Sequence, residues 1–285
     1  MNAARFYVKV AGRMRRRVGN GKAKQTMNAF DLTGKVAVVT GGNGGIGLGI
    51  AAGLAEAGCA VHIWGRNGEK NAHALEVLRG KGARAESAIC DVSDRSSVDA
   101  AFAHALAAFG RVDGCFANAG IYGTAPRSFL DRPLDEWRRV LTTNLEGAFN
   151  TLQAASRHMV ERSRRGDAGG RLVVTSSLAS LFGTARNEHY AASKAALNAL
   201  ARALAVEFAR YGITSNAILP GWIVTEMTEA AFANERFTDA VKPRIPMRRF
   251  GEPRDFGGIA VYVMSDASAY HTGDLFVIDG GYTLF

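Results

Sequence analysis

Cysteine is scarce: Cys59, Cys90 and Cys115 are the only three in 285 residues, they lie far apart, and none belongs to a C-x-x-C pair. That pattern excludes a disulfide framework and a zinc knuckle, and reads as buried thiols in a reducing, cytoplasmic compartment. The six histidines show neither H-x-x-x-H nor H-x-H spacing, so no metal site is expected. Proline is rare at six residues, and no apolar run approaches the ~18 residues of a membrane span. With 47% hydrophobic residues the chain has ample material for a core, which excludes disorder as its default state.

Acids are missing altogether from residues 1–30, which hold Arg5, Lys9, Arg13, Arg15, Arg16, Arg17, Lys22 and Lys24. Eight of the nine net positive charges therefore sit in this arm, and the rest of the chain is close to neutral. Residues 1–27 read as a basic, solvated extension, with Met27 a natural start of its own, and residues 28–285 as one domain. A nucleic-acid-binding protein acting through the arm would show salt-sensitive binding that vanishes when residues 1–26 are removed, but the neutral body argues against it. Neither nucleic acid nor membrane is expected as a partner.

From Lys35 onward, short β-rich runs alternate with amphipathic ones. The runs Val36 to Val39, Ala60 to Trp64, Arg84 to Cys90, Val112 to Ala117, Leu172 to Thr175, Ile213 to Leu219 and Leu275 to Ile278 give seven candidate strands. Between them the period turns helical, as in Val98, Ala101, Phe102, Ala105 and Phe109, or Leu134, Trp137, Leu141, Ala148 and Leu152. Alternation of this kind predicts an α/β fold: one doubly wound, Rossmann-like domain whose seven-stranded parallel sheet carries helices on both faces. Two polar residues intrude on helical apolar stripes, Asn144 in register with Trp137, Leu141 and Ala148, and Lys194 in register with Leu197, Ala201, Leu204 and Phe208. An inward amide or ammonium needs partners, whether it ties segments together, snorkels to the surface or serves a site.

The first candidate strand runs into Gly41-Gly42-Asn43-Gly44-Gly45-Ile46-Gly47, followed by a helical pattern from Leu48 to Ala57. Glycines there permit close backbone approach to a pyrophosphate, and the helix start offers free N–H groups and a positive dipole end. The second strand ends in Gly65-Arg66-Asn67, where an NAD site would place an acid for the ribose hydroxyls. Gly65 brings no carboxylate to repel a 2′-phosphate and Arg66 brings a guanidinium to pair with it, which favours NADP(H) with NAD(H) possible.

Tyr190-Ala191-Ala192-Ser193-Lys194 stacks a phenol and an ammonium on one helical face, and Ser177 stands thirteen residues before Tyr190 at the end of a strand. A nearby cation favours phenolate, so Tyr190 becomes able to exchange a proton near neutral pH.

With Asp91-Val92, Asn118-Ala119-Gly120, Pro220-Gly221 and Asp279-Gly280-Gly281 in the same order, the sequence from residue 28 onward resembles the classical branch of the short-chain dehydrogenase/reductase family. The resemblance implies an NAD(P)-dependent oxidoreductase interconverting a secondary alcohol and a ketone. It implies Tyr190 as general acid/base, Lys194 as holder of the nicotinamide ribose and tuner of Tyr190, and Ser177 as the hydrogen-bond partner of the substrate oxygen, with Ser176 the alternative. It implies Asn144 as the seat of a relay water. On the cofactor side it implies Asp91 and Val92 at the adenine, Asn118, Ala119 and Gly120 beside the ribose, and Pro220, Gly221, Ile223 and Thr225 at the nicotinamide carboxamide. The sequence departs from the family pattern at Ser180, where glycine is common, and at Ala117, where a second asparagine often stands. A homo-oligomer, tetramer or dimer, is also implied, with Leu284 and Phe285 buried at a contact or folded onto their own chain.

The substrate is expected between the loop after Gly120, the segment from Ser177 to Glu188, and the stretch from Trp222 to Arg249, where Phe232, Phe237, Ile245 and Met247 are apolar. A 3-oxoacyl carrier-protein reductase is an alternative, because Arg157, Arg162, Arg164, Arg165 and Arg171 would attract an acidic carrier. A non-catalytic dinucleotide sensor is the reading from another class.

Overall fold

The computed structural model describes residues 29–123 and 128–284, so the basic arm and Phe285 lie outside the described residues. Seven strands form one sheet: β1 (Val36–Thr40), β2 (Ala60–Gly65), β3 (Ala85–Ile89), β4 (Gly114–Ala117), β5 (Gly170–Thr175), β6 (Ile213–Pro220) and β7 (Leu275–Ile278). Their order is β3-β2-β1-β4-β5-β6-β7, and every pairing is parallel. The expected doubly wound sheet is thus present, with strand ends shifted by two residues or fewer, the usual uncertainty of element boundaries.

The helices are α1 (Gly45–Glu56), α2 (Gly68–Gly80), α3 (Arg95–Phe109), α4 (Leu134–Leu141), α5 (Gly147–Arg164), α6 (Glu188–Phe208), α7 (Glu229–Phe232), α8 (Glu235–Val241) and α9 (Gly257–Met264). They divide between the two faces of the sheet. Along β1 the pleat sends Val38 into one core with Phe102 of α3, Leu152 of α5 and Leu197 of α6. Ala37 and Val39 enter the other with Ile50 of α1, Leu78 of α2 and Val263 of α9. All five residues of β1 are buried, which is why the strand reads as a continuous apolar run rather than an alternation. Each large aliphatic side chain buried this way contributes about 1.5–3 kcal/mol.

Local signals set the helix ends. Asp94 caps α3 by accepting from the Ser96 N–H at 2.9 Å, and Gly110, at φ +76°, closes it in the left-handed conformation that glycine adopts without strain. Asn67 caps α2 by accepting from the Lys70 N–H at 3.0 Å.

Helices α4 and α5 run into each other through a π turn, Thr142–Glu146. The extra residue rotates the buried face, so the expected stripe fails at its start: Leu134 is 59% exposed, while Glu136, Val140 and Asn144 point inward. A wide turn of this type commonly marks a functional position on a helix.

Of the arginines read as a docking patch for an acidic carrier, Arg157, Arg164 and Arg165 are exposed, while Arg162 and Arg171 are not available to a partner. Arg162 is buried and donates to the Val112 carbonyl and to Asp113 and Asp167, Arg171 is buried against the Gly170 and Ser265 carbonyls, and Arg165 pairs with Glu161. Asp113 in turn accepts from the N–H of Val36. These charges tie together the amino ends of β1, β4 and β5, the edge of the sheet away from the carboxyl ends where ligands bind in this architecture.

One buried polar chain crosses the sheet face at β2. Trp64 Nε1 donates to His62 Nδ1 at 2.9 Å, and His62 Nε2 lies 2.9 Å from His104 Nδ1 of α3. The indole donor leaves His62 Nδ1 unprotonated, so the His62 proton sits on Nε2 and is shared with His104. Burial and His104 hold the His62 pKa down at about 4.

Candidate active site

The strand order reverses between β1 and β4, and the crevice at their carboxyl ends is where an open α/β sheet receives its ligand. A cleft opens there, lined from β1 onward by Gly41, Asn43, Gly44, Gly45 and Ile46. Gly41 (φ +63°) and Gly45 (φ +48°) need the glycine conformation. A side chain on Gly47 would lie 2.1 Å from the Gly41 carbonyl oxygen, so Gly47 stands under the turn and lets α1 pack onto it rather than lining the cleft.

This cradle fits a dinucleotide phosphate. The start of α1 has no side-chain cap, no acid stands in its first turn, and a Cβ at Gly44 would meet nothing within 4 Å. The helix therefore presents unclaimed N–H groups and its positive end to open space.

Asn118 and Thr40 fix the floor. The Thr40 hydroxyl accepts from the N–H groups of Asn118 and Ala119 at 3.0 and 2.9 Å. Asn118 Nδ2 donates to the Thr40 carbonyl at 3.0 Å, and its Oδ1 accepts from the Thr175 hydroxyl at 3.0 Å. One amide thus locks the ends of β1, β4 and β5. Beside it Gly120 leaves room for two groups from opposite sides, since a Cβ there would lie 3.3 Å from both Asn144 Oδ1 and Lys194 Nζ.

At the end of the cleft toward β2 and β3, Arg66, Asp91 and Val92 line it. The Arg66 guanidinium is 68% exposed and 4.0 Å from Asp91, a separation that leaves it available to an anion. Asp91 is held below the usual carboxylate range chiefly by its bond from the Ser93 hydroxyl.

The four polar side chains expected at the reaction centre divide between the cleft and its wall. Tyr190, Lys194 and Ser177 line the cleft, whereas Asn144 is fully buried behind it. Lys194 does not snorkel; it is buried and donates to the Thr175 carbonyl at 2.7 Å, and burial lowers its pKa to about 8. Its ammonium lies 5.6 Å from the centre of the Tyr190 ring. Ser177 lines the cleft with Tyr190, and its Oγ accepts from the Ala179 N–H at 3.1 Å. Ser176, the alternative, is spent elsewhere, since its buried hydroxyl donates to the Lys194 carbonyl at 2.9 Å. Asn144 accepts from the Ile121 N–H at 2.8 Å, and its Nδ2 donates to the Ile121 carbonyl and to Ser193 Oγ at 3.0 and 3.1 Å. Ser180, the departure from glycine, donates to the Ser177 carbonyl and accepts from Asn198, so it braces the turn that carries Ser177.

Tyr122 was invisible in the sequence. Its ring packs against that of Tyr190 with centroids 4.2 Å apart. Burial first, and then Tyr122, push the Tyr190 pKa well above the ordinary tyrosine value. Nothing in a loop residue two positions after Asn118-Ala119-Gly120 signals this contact.

Beyond β6, Pro220, Gly221, Ile223 and Thr225 line the opposite wall. Thr228, also unanticipated, organises it by donating to the Ile223 carbonyl at 2.6 Å and accepting from the Thr225 N–H at 3.0 Å. Gly221 has no room for a Cβ, which would lie 2.7 Å from Asp279, and Asp279 accepts from the N–H groups of Gly281 and Thr283. The apolar residues of the following stretch do not face the cleft as expected. Trp222, Phe237, Phe232 and Phe250 pack in a row through edge-on and tilted ring contacts and Ile245 is buried, whereas Met247 is 61% exposed. Mutual aromatic packing uses their surface, and the cleft takes Glu226 and Met227 from this stretch instead.

No group of histidine, cysteine, aspartate or glutamate among the described residues could hold a metal ion, and no helix among them is long and apolar enough to cross a membrane.

Residues 41–283 match the family model described as enoyl-(acyl carrier protein) reductase. Gluconate 5-dehydrogenase of Gluconobacter oxydans is 35% identical over 255 residues, 90% of this chain and 97% of that protein. A short-chain type dehydrogenase/reductase from Mycobacterium marinum superposes with a TM-score of 0.84 at 36% identity, covering 91% of this chain and 99% of its own. A gluconate 5-dehydrogenase from Burkholderia cenocepacia, solved in complex with NADP and tartrate, gives 0.84 at 34% identity over 92% of this chain and all of its own. With the parallel sheet, the glycine cradle and the Tyr190–Lys194 pair already in place, these matches establish that the chain belongs to the short-chain dehydrogenase/reductase family of NAD(P)-dependent oxidoreductases, which interconvert alcohols and carbonyls.

Proposed function

We propose that the chain uses NADP(H) to interconvert a secondary alcohol and a ketone on a small polyhydroxylated acid of the gluconate type, with Tyr190 as the acid/base. The observation that carries the reading is the convergence of Ser177, Tyr190 and Lys194 on one end of a cleft whose other end carries Arg66 and no acid at Gly65. The names of the relatives support the substrate class, and the NADP bound to one of them supports the nucleotide.

Gly41, Asn43, Gly44, Gly45 and Ile46 hold the pyrophosphate, Asp91 and Val92 the adenine, Asn118, Ala119 and Gly120 the ribose side, and Ile223 and Thr225 the carboxamide. Bound nicotinamide supplies or accepts the hydride. The Tyr190 phenol, kept protonated by burial, donates its proton to the carbonyl oxygen during reduction and takes it back from the alcohol in reverse. Ser177 hydrogen-bonds the same oxygen and steadies its developing charge. Lys194 holds the ribose hydroxyls and offsets the tyrosinate charge. Asn144 fixes the Ile121 loop and Ser193, and with Lys194 it faces the space at Gly120 through which a water would pass protons to solvent.

Three free, buried thiols support a reducing, cytoplasmic setting. The outer face of α5 and α6, where Phe149 is half exposed beside Leu200, Leu204 and Phe208, supports a homo-oligomer. Leu284, 88% exposed on its own chain, is consistent with a subunit contact.

The test is oxidation of NADPH and NADH by the purified protein over a panel of keto-sugar acids, ketoses, simple ketones and 3-oxoacyl thioesters, with Tyr190→Phe alongside. A loss of about 10²–10⁴ in kcat in the variant with nucleotide binding retained is the expected result. Turnover undiminished in Tyr190→Phe would overturn the mechanism, and nucleotide binding with no turnover on any carbonyl would favour a sensor.

A further inference from the structure

Gly65 is a glycine for want of space rather than for its backbone. Its φ is not positive, yet a Cβ added to it would lie 2.1 Å from Asn43 Nδ2 and 2.5 Å from Asn71 Oδ1. Those two atoms are joined by a hydrogen bond of 2.7 Å that runs through the place a side chain at position 65 would take.

The bond is anchored from behind. Asn71, on the first turn of α2, is 2% exposed, and its Nδ2 donates to the carbonyls of Gly65 and Ala88 at 3.0 and 3.1 Å. Two backbone acceptors fix which end of this amide is nitrogen, and so oblige its oxygen to face Asn43. Asn71 cannot retreat without leaving a buried amide unpaired. Asn43 is therefore held by one N–H and keeps its second for an acceptor in the cleft that the exposed guanidinium of Arg66 also lines.

We propose that Asn71 is a nucleotide-specificity residue: by bracing Asn43 it closes position 65 to any side chain, and so bars the ribose-binding carboxylate of an NAD site while aiming an N–H donor at the 2′-phosphate of NADP(H). This rests on the NADP(H) reading above and adds a residue that never reaches the cleft. The brace joins the glycine turn, the end of β2 and the end of β3, the three segments that surround the adenosine end.

The test measures dissociation constants of NADPH and NADH for the full chain by quenching of protein fluorescence, in wild type, Asn71→Ala, Gly65→Asp and the double variant. Asn71→Ala is expected to weaken NADPH about tenfold, the scale of one lost hydrogen bond, with little change for NADH. Gly65→Asp alone is expected to weaken both nucleotides at least about tenfold, because its Cβ drives Asn43 into the cleft. The double variant, with space restored, is expected to recover NADH and not NADPH. Gly65→Ala with and without Asn71→Ala serves if the aspartate variant does not fold, since the Cβ alone makes the clash. Tight NADH binding by Gly65→Asp with Asn71 intact, or an unchanged nucleotide ratio in Asn71→Ala, overturns the brace. A wild-type preference for NADH overturns the NADP(H) reading instead, and recovery of NADH in the double variant would still support the steric claim.

Discussion

Lys70 and Glu226 meet across the mouth of the cofactor cleft, the ammonium 2.6 and 2.8 Å from the two carboxylate oxygens. Lys70 comes from the first turn of α2 at the adenosine side and Glu226 from the segment after β6, so the pair spans the groove. Both side chains are well exposed, and an exposed pair of this kind is worth about 0–1 kcal/mol. Glu226→Gln is expected to free Lys70 for phosphate and tighten NADPH about two- to fivefold, and Lys70→Ala to weaken it by a similar factor. Stopped-flow fluorescence at several ionic strengths reads both, and a tighter complex in Lys70→Ala would sink the idea.

The Lys194 ammonium sets an alkaline limit. With its pKa lowered to about 8 by burial, it loses its charge above that pH in the free enzyme, and kcat/KM for carbonyl reduction is expected to fall as pH rises through 8. Stability moves the other way. An unfolded lysine titrates near 10.5, so between about 8 and 10.5 the unfolded chain binds more protons than the folded one, and this group's contribution to stability grows with pH. Rate profiles and thermal unfolding on one preparation check the opposed trends.

Tyr122 packs on Tyr190, and after burial its phenol is the next cause that raises the Tyr190 pKa. Tyr122→Phe keeps the ring and removes that phenol. In the proposed mechanism alcohol oxidation needs Tyr190 as phenolate, so the pH at which oxidation half-develops is expected to drop. An unshifted oxidation limb would show that the second phenol does no more than pack.

His62 makes the fold acid-sensitive. Its folded pKa of about 4 lies below the 6.5 of a free imidazole, so its contribution is complete above 6.5 and is lost as pH falls to 4. The amount is on the order of 3 kcal/mol. His62→Gln, which keeps an acceptor for Trp64, is expected to flatten the fall of thermal midpoint across that interval in circular-dichroism melts.

The sheet was legible in the sequence because the strands are short, most are rich in apolar and β-branched residues, and they alternate with helical periods. Likewise the glycine cradle, Ser177, Tyr190 and Lys194 were legible, because spacing alone puts them at strand ends or on one helical face. What escaped depends on partners far away in the chain. Tyr122 matters through Tyr190, Asn71 through Asn43 and Gly65, and Thr228 through a carbonyl, none of which leaves a local pattern. Leu134 misled because an α-helical period was carried across a turn that is not α-helical. Arg162 and Arg171 misled because a charge count does not show that their carboxylate and carbonyl partners come from other segments.

The π turn at Thr142–Glu146 makes this part of the chain sensitive to its length. Each residue of a helix advances the chain by about 100°, so deleting one residue here would let the helices fuse as a plain α-helix with either Asn144 or the Ala148 and Leu152 face turned out of place. Apart from Asn144, substitutions along this stretch can be absorbed one side chain at a time, whereas a change of length cannot. Random insertion and deletion scanning should therefore leave a gap in survivors between Val140 and Gly147, even though neighbouring positions such as Arg138 and Arg139 are exposed and free to vary in kind.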